Sequence, residues 1–92
     1  MKKYIQINPA DNVVVAIEPL STGDQIAVGD RPVIIREDIP AGHKVALKDF
    51  VTGDHIIKYG FPIGHARSDI PTGTWINEKN IKTNLDGLQD YT

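Results

Sequence analysis

A chain of 92 residues with a formal charge of -2, 40% hydrophobic content and no cysteine reads as one small domain with room for a single modest core. That length leaves no place for a second catalytic domain, and without cysteine there is no disulfide framework, thiolate nucleophile or cysteine-based zinc site. No Lys/Arg block interleaves with aromatics, and no apolar run reaches signal-peptide or membrane-spanning length, so neither nucleic acid nor membrane is expected as a partner and a cytoplasmic protein is.

In chain order, apolar β-formers around Ile5 and Ile7 lead into the turn residues Asn8-Pro9-Ala10-Asp11-Asn12. The β-branched run Val13-Val14-Val15-Ala16-Ile17 suits a strand buried on both faces, since it is too short for a helix. Leu20-Ser21-Thr22-Gly23-Asp24 is a turn. Gln25-Ile26-Ala27-Val28 and Arg31-Pro32-Val33-Ile34-Ile35-Arg36, joined by Gly29-Asp30, form a hairpin with a type II′ turn, and Pro32 places its strand at an edge. One or two helical turns are expected from Ala46 to Phe50, bounded by Gly42 and Gly53. Residues 1–84 form the domain, and Leu85 to Thr92 is a polar tail or linker.

One pattern recurs four times, in Leu20-Ser-Thr-Gly23-Asp-Gln-Ile26, Ile39-Pro-Ala-Gly42-His-Lys-Val45, Phe50-Val-Thr-Gly53-Asp-His-Ile56 and Ile70-Pro-Thr-Gly73-Thr-Trp-Ile76. Each has an apolar residue, a glycine three later and a β-branched residue three after that. Their spacing is uneven, so this is a reused turn leading into a strand, not a solenoid. Pro40 and Pro71 suit the second position of a type I or II turn. The sum is a small all-β domain of short strands and tight corners.

The candidate site residues cluster between Ile39 and Asn84. His43 follows Gly42 on a turn, where an accessible imidazole can donate or accept a proton near neutrality or simply remain an exposed turn residue. Lys44 and Lys58 are positioned to bind a carboxylate or to keep a solvated head over an apolar stem. Tyr59 can hydrogen-bond a substrate hydroxyl or pack. His65 and Arg67 share a face of an extended segment, where an ion pair of Arg67 with Asp69 is the expected arrangement. His55 reads as structural or solvated, and Trp75 as core or interface. No cluster of metal ligands is evident, and the metal ligands stay unknown.

Gly42-His43-Lys44 with Ala46-Leu47-Lys48-Asp49, Ile57-Lys58-Tyr59-Gly60, Pro62-Ile63-Gly64 with Ala66, Asp69-Ile70 with Gly73, and Asn80 with Thr83-Asn84 resemble the SAF domain of the altronate and galactarate dehydratase family. The chain is similar also to the small subunit of sulfolactate sulfo-lyases. The resemblance covers essentially the whole chain and implies a β-clip fold. It implies the small subunit or N-terminal domain of a sugar-acid hydro-lyase, active only with a large dehydratase subunit that removes water from an aldonate or aldarate. Iron(II) or another divalent metal would be held mainly by that large subunit. His43 would take a role at the sugar-acid or metal site, with Lys58 and Asn80 contributing beside it.

Such an elimination needs a base, an acid and a cation that stabilises an enediolate-like intermediate. Where dehydratase members have His-x-His-Asn, which would place two imidazoles on one strand face, this chain has Asn77-Glu78-Lys79-Asn80. That departure leaves two alternatives open. One is a different substrate, with an extra anionic group for Lys79. The other is a non-catalytic sugar-acid-binding module or one that assembles a homo-oligomer.

Overall fold

Val13 and Val14 point in opposite directions, and each ends in a different core. The computed structural model describes residues 3–83, so the tail at 85–92 lies outside the described residues. Nine strands follow in order: β1 Tyr4–Ile5, β2 Val13–Ala16, β3 Gln25–Val28, β4 Arg31–Ile34, β5 Lys44–Ala46, β6 His55–Lys58, β7 Phe61–Ala66, β8 Trp75–Ile76 and β9 Ile81–Thr83. They form a four-stranded sheet β1-β2-β5-β8, a hairpin β3-β4 and a three-stranded sheet β6-β7-β9. All pairings are antiparallel. This is the all-β, small-sheet architecture expected of a β-clip, and no helix occurs among the described residues, so none there could cross a membrane.

The four-stranded sheet runs through the middle of the domain. On one face Val13, Ala46 and Ile76 pack with Ile56, Ile63, Ala66 and Ile81 of the three-stranded sheet. On the other, Val14, Ala16 and Val45 pack with Ile26, Val33 and Ile35 of the hairpin region. Composition suggests one modest core, but the buried sheet divides it into two. Alternation of side chains along β2 and β5 is the cause, because successive residues must face opposite ways.

The β3–β4 hairpin has the expected turn. Gly29 takes φ +60° while Asp30 stays negative, which is the type II′ pattern. Pro32 pairs with Ala27 in a sheet of only two strands, so its missing N–H costs no ladder bond on a further side.

The four repeated motifs form four equivalent turns, Ser21–Asp24, Pro40–His43, Val51–Asp54 and Pro71–Thr74. Each is closed by an N–H to C=O bond from last residue to first, at 2.9, 3.3, 3.0 and 3.2 Å. Gly23, Gly42, Gly53 and Gly73 occupy the third positions at φ of 91, 84, 94 and 87°, which is the type II requirement. Pro40 and Pro71 therefore sit at the first position, not the second. The demand for positive φ pins glycine to the third position and so sets the register of the whole turn.

The turns also clasp one another. Gly23 and Asp24 exchange backbone hydrogen bonds with Ile35, Gly42 and His43 with Ala16, Gly53 and Asp54 with Ala66, and Gly73 and Thr74 with Ala46. Each of those partners lies four residues before the apolar residue of another motif, and Leu20 pairs with Ile39 as Phe50 pairs with Ile70. The four motifs are thus two reciprocal pairs.

This clasp explains why the helix expected from Ala46 to Phe50 does not form. The Ala46 N–H goes to Thr74 O, the Leu47 N–H to Asn12 O and the Phe50 N–H to Ile70 O, while Ala46 O accepts from Gly73. A helix would need those groups for its own ladder, and local propensity is too weak to compete with packed tertiary partners.

Acidic side chains reinforce the pairs. Asp38 accepts from the backbone and hydroxyl of Thr22, and Asp49 from those of Thr72. These bonds hold both carboxyls below their ordinary value of 3.8. Below that value the unfolded chain binds more protons than the folded one. Their contribution is therefore complete above pH 3.8 and lost as pH falls through the lower folded values; urea titrations at neutral and acid pH should show that loss, and D38N with D49N should flatten it. Gly73→Ala should unfold the domain, because its Cβ would collide with the Ile34 carbonyl oxygen, whereas Gly23→Ala meets open space. Only the left-handed backbone cost of ~1–2 kcal/mol applies at Gly23, and thermal melts of the two variants should separate them.

Candidate functional site

Lys44 opens β5 and shares a face with Ala46, so it is directed into the space between the central and three-stranded sheets. Lys58 closes β6, two residues beyond the core residue Ile56. Their exposures are only 3% and 5%, so neither keeps the solvated head expected of a strand lysine. Burial, with the nearby Lys58 charge adding to it, lowers the Lys44 pKa from 10.5 to about 8.

Neither ammonium has a carboxylate partner among the described residues, where the salt bridge is Lys48–Asp54 at 3.3 Å. No described side-chain nitrogen is both sealed from solvent and unpartnered, so each ammonium keeps a narrow opening. Two adjacent cations, desolvated yet reachable, form a site suited to an anion.

Tyr59 covers part of it. The Lys58 Nζ lies 5.0 Å from the Tyr59 ring centroid, within cation–π range. Tyr59 and Gly60 take φ of 58° and 76°, giving a type I′ turn between β6 and β7. That turn favours Asn, Asp or Gly at the first position, so a tyrosine there carries conformational strain that its contact with Lys58 offsets.

Asp11 anchors the turn. It is 6% exposed, and its carboxylate accepts from the Gly60 N–H at 2.8 Å and the Asn8 N–H at 3.0 Å. From sequence it reads only as a turn residue, because its decisive partner is 49 positions away.

His43 lies on the other side of the sheet. It ends the Pro40–His43 turn and meets Trp75, which pairs with Val45 and packs against the hairpin-side core. The indole Nε1–H donates to His43 Nδ1 at 3.2 Å, and the rings stand edge to face with centroids 5.2 Å apart. His43 and Lys44, adjacent in sequence, therefore leave opposite faces.

Asn80 is committed to the fold. Its oxygen accepts from the Asn77 N–H and its amide donates to the Trp75 carbonyl, both at 2.9 Å. Asn77 in turn accepts from the Lys79 N–H. Asn77 to Asn80 is thus a turn between β8 and β9, not the strand face that the resemblance implies, because these side chains bond the local backbone in preference to a ladder.

The expected ion pair of Arg67 with Asp69 is also absent among the described residues. Asp69 faces the partner motif and accepts from the Thr52 N–H, following the same clasp as Asp38 and Asp49. His55 is exposed at the start of β6, opposite His65 in β7. A cleft of about 310 Å³, which reaches Asp11, is lined also by Gln6, Asn12, Arg31 and Lys48. Its cations are already engaged, Arg31 with the Leu47 carbonyl and Lys48 with Asp54.

Among the described residues no three of His, Asp and Glu converge to hold a metal. A three-ligand protein site for a divalent ion would need donors from beyond these residues.

The buried lysine generates a testable sign. The folded Lys44 releases its proton at lower pH than the unfolded chain, so its cost is complete below pH 8 and relieved between about 8 and 10.5. The isolated chain should gain on the order of 3 kcal/mol across that window. Lys44→Met should abolish the gain and raise stability at neutral pH, as read by urea denaturation across pH.

The sequence from residue 2 to residue 84 matches the family model described as the altronate/galactarate dehydratase SAF domain. The chain is 43% identical to altronate dehydratase of Escherichia coli K12 over 89 residues, covering 97% of this chain and 18% of that protein. It is 41% identical to altronate dehydratase of Bacillus subtilis 168 over 92 residues, again 18% of that protein. With subunit alpha of (2R)-sulfolactate sulfo-lyase from Paracoccus pantotrophus it shares 46% identity over 48 residues, covering 52% of this chain and 72% of that subunit. The chain thus spans less than a fifth of the dehydratases it matches. With a match running through the strands, the glycine turns and the lysine pair alike, the chain belongs to the altronate/galactarate dehydratase SAF domain family.

Proposed function

We propose that this chain supplies the carboxylate-binding part of a sugar-acid dehydratase site whose remaining chemistry lies in a larger region. The supporting observation is the pair of buried lysines, Lys44 and Lys58, with no carboxylate partner among the described residues. As the proton beside a carboxylate leaves, negative charge accumulates on the carboxylate oxygens. Two preorganised ammoniums in a desolvated setting stabilise that charge more than they stabilise the ground state. Tyr59, whose ring lies against the Lys58 ammonium, would add a hydroxyl to the same ligand.

On this reading the chain is the small subunit or N-terminal domain of a hydro-lyase acting on an aldonate or aldarate. A divalent ion, iron(II) or another, sits in the larger region. The short coverage of the altronate dehydratases supports that division. A second reading, sugar-acid binding or oligomer assembly without catalysis, draws support from the placement of His43 across the sheet from the lysines and from the structural turn at Asn77 to Asn80.

Kinetics of the assembled enzyme separate the two. Removing a hydrogen bond to a charged group costs ~1.5–3 kcal/mol, so Lys58→Met and Lys44→Met should each lower kcat/KM for the sugar acid roughly 10- to 100-fold. Unchanged turnover with normal assembly would move the assignment to the second reading.

A further inference from the structure

His43 stands apart from the lysine pair, and its neighbour determines what its ring can do. An indole N–H is a donor only, and the Trp75 Nε1–H is directed at the His43 Nδ1 lone pair, 3.2 Å away with the planes at 85°. In the neutral ring the proton then resides on Nε2. We propose that Trp75 locks His43 in the Nε2–H tautomer, so that His43 offers a hydrogen-bond donor to a carboxylate or hydroxyl oxygen. It does not offer Nε2 as a metal ligand or proton acceptor.

The backbones that carry both rings are held independently of the ring contact. The His43 N–H bonds to Pro40 O and its carbonyl accepts from Ala16, while β8 pairs Trp75 with Val45. Asn80 donates to the Trp75 carbonyl, and Glu37 accepts from the Trp75 backbone N–H at 3.2 Å. Asn80 and Trp75 are thus positioning residues for His43, which gives the asparagine carried by the family motif a task although it is spent on backbone contacts. The inference does not depend on the carboxylate role of the lysines.

Nitrogen-15 NMR of the full chain tests it, recorded at about pH 8.5, where an ordinary histidine is neutral. The expected wild-type spectrum has a pyridine-like Nδ1 and a pyrrole-like Nε2 for His43. Trp75→Phe, which keeps an aromatic ring and removes the donor, should move both shifts toward the tautomeric average. A purely packing role for Trp75 would leave them unchanged and overturn the proposal. An averaged or Nδ1–H ring in the wild type overturns it outright, so the test survives even if Trp75→Phe does not fold. Added Co(II) should leave the wild-type His43 ring signals sharp; selective broadening of them would also overturn the assignment.

Discussion

Four glycine turns, each closed on itself and clasped by a distant carbonyl and N–H, hold this domain together. The strands are only two to six residues long, too short for their ladders to define a fold alone. The clasps supply what the ladders lack, because each satisfies backbone groups at a corner where the chain would otherwise leave them exposed. Their reciprocal pairing sets the central sheet between its two covers. Positive φ at the third turn position is the local condition on which all of this rests, and only glycine meets it cheaply.

That frame fixes where charge can be placed. A small domain has little stability to spare, so two buried ammoniums without a carboxylate among the described residues are a cost to folding. Departures of this kind from the usual rules concentrate at functional sites. The strained Tyr59 over Lys58 and the buried Asp11 tied to Gly60 belong to the same region, which makes the turn from β6 to β7 the most specialised corner of the fold. Across the sheet, the His43–Trp75 contact combines one ring-to-ring hydrogen bond with edge-to-face packing. The two assemblies have different physics and, in the proposals above, different tasks.

Some residues were legible because their behaviour is local. The type II′ turn at Gly29-Asp30, the edge position of Pro32 and the double-faced burial of Val13 to Ala16 follow from backbone sterics and from a β-branched run, although Ile17, expected in the same buried strand, lies past its end and is exposed. The family was legible from linked motifs for the same reason, since those motifs carry the turns. Lys44 and Lys58 stood out as candidates by residue type, but their burial did not, since it depends on a sheet formed elsewhere in the chain. Asp11 offered no signal at all, and Asn80, expected at the site, proves to spend its side chain on backbone partners.

The sequence by itself determined the turns, the strand periodicity and the all-β class, since each depends on φ preferences and on side chains one or two residues apart. Only the tertiary structure decided that Ala46 to Phe50 is extended, that one core becomes two, and that His43 and Lys44 part to opposite faces. Those outcomes turn on which distant carbonyl reaches a given N–H, and on which sheet covers a given face. Such competitions are settled between segments tens of residues apart, where local preference carries too little free energy to decide.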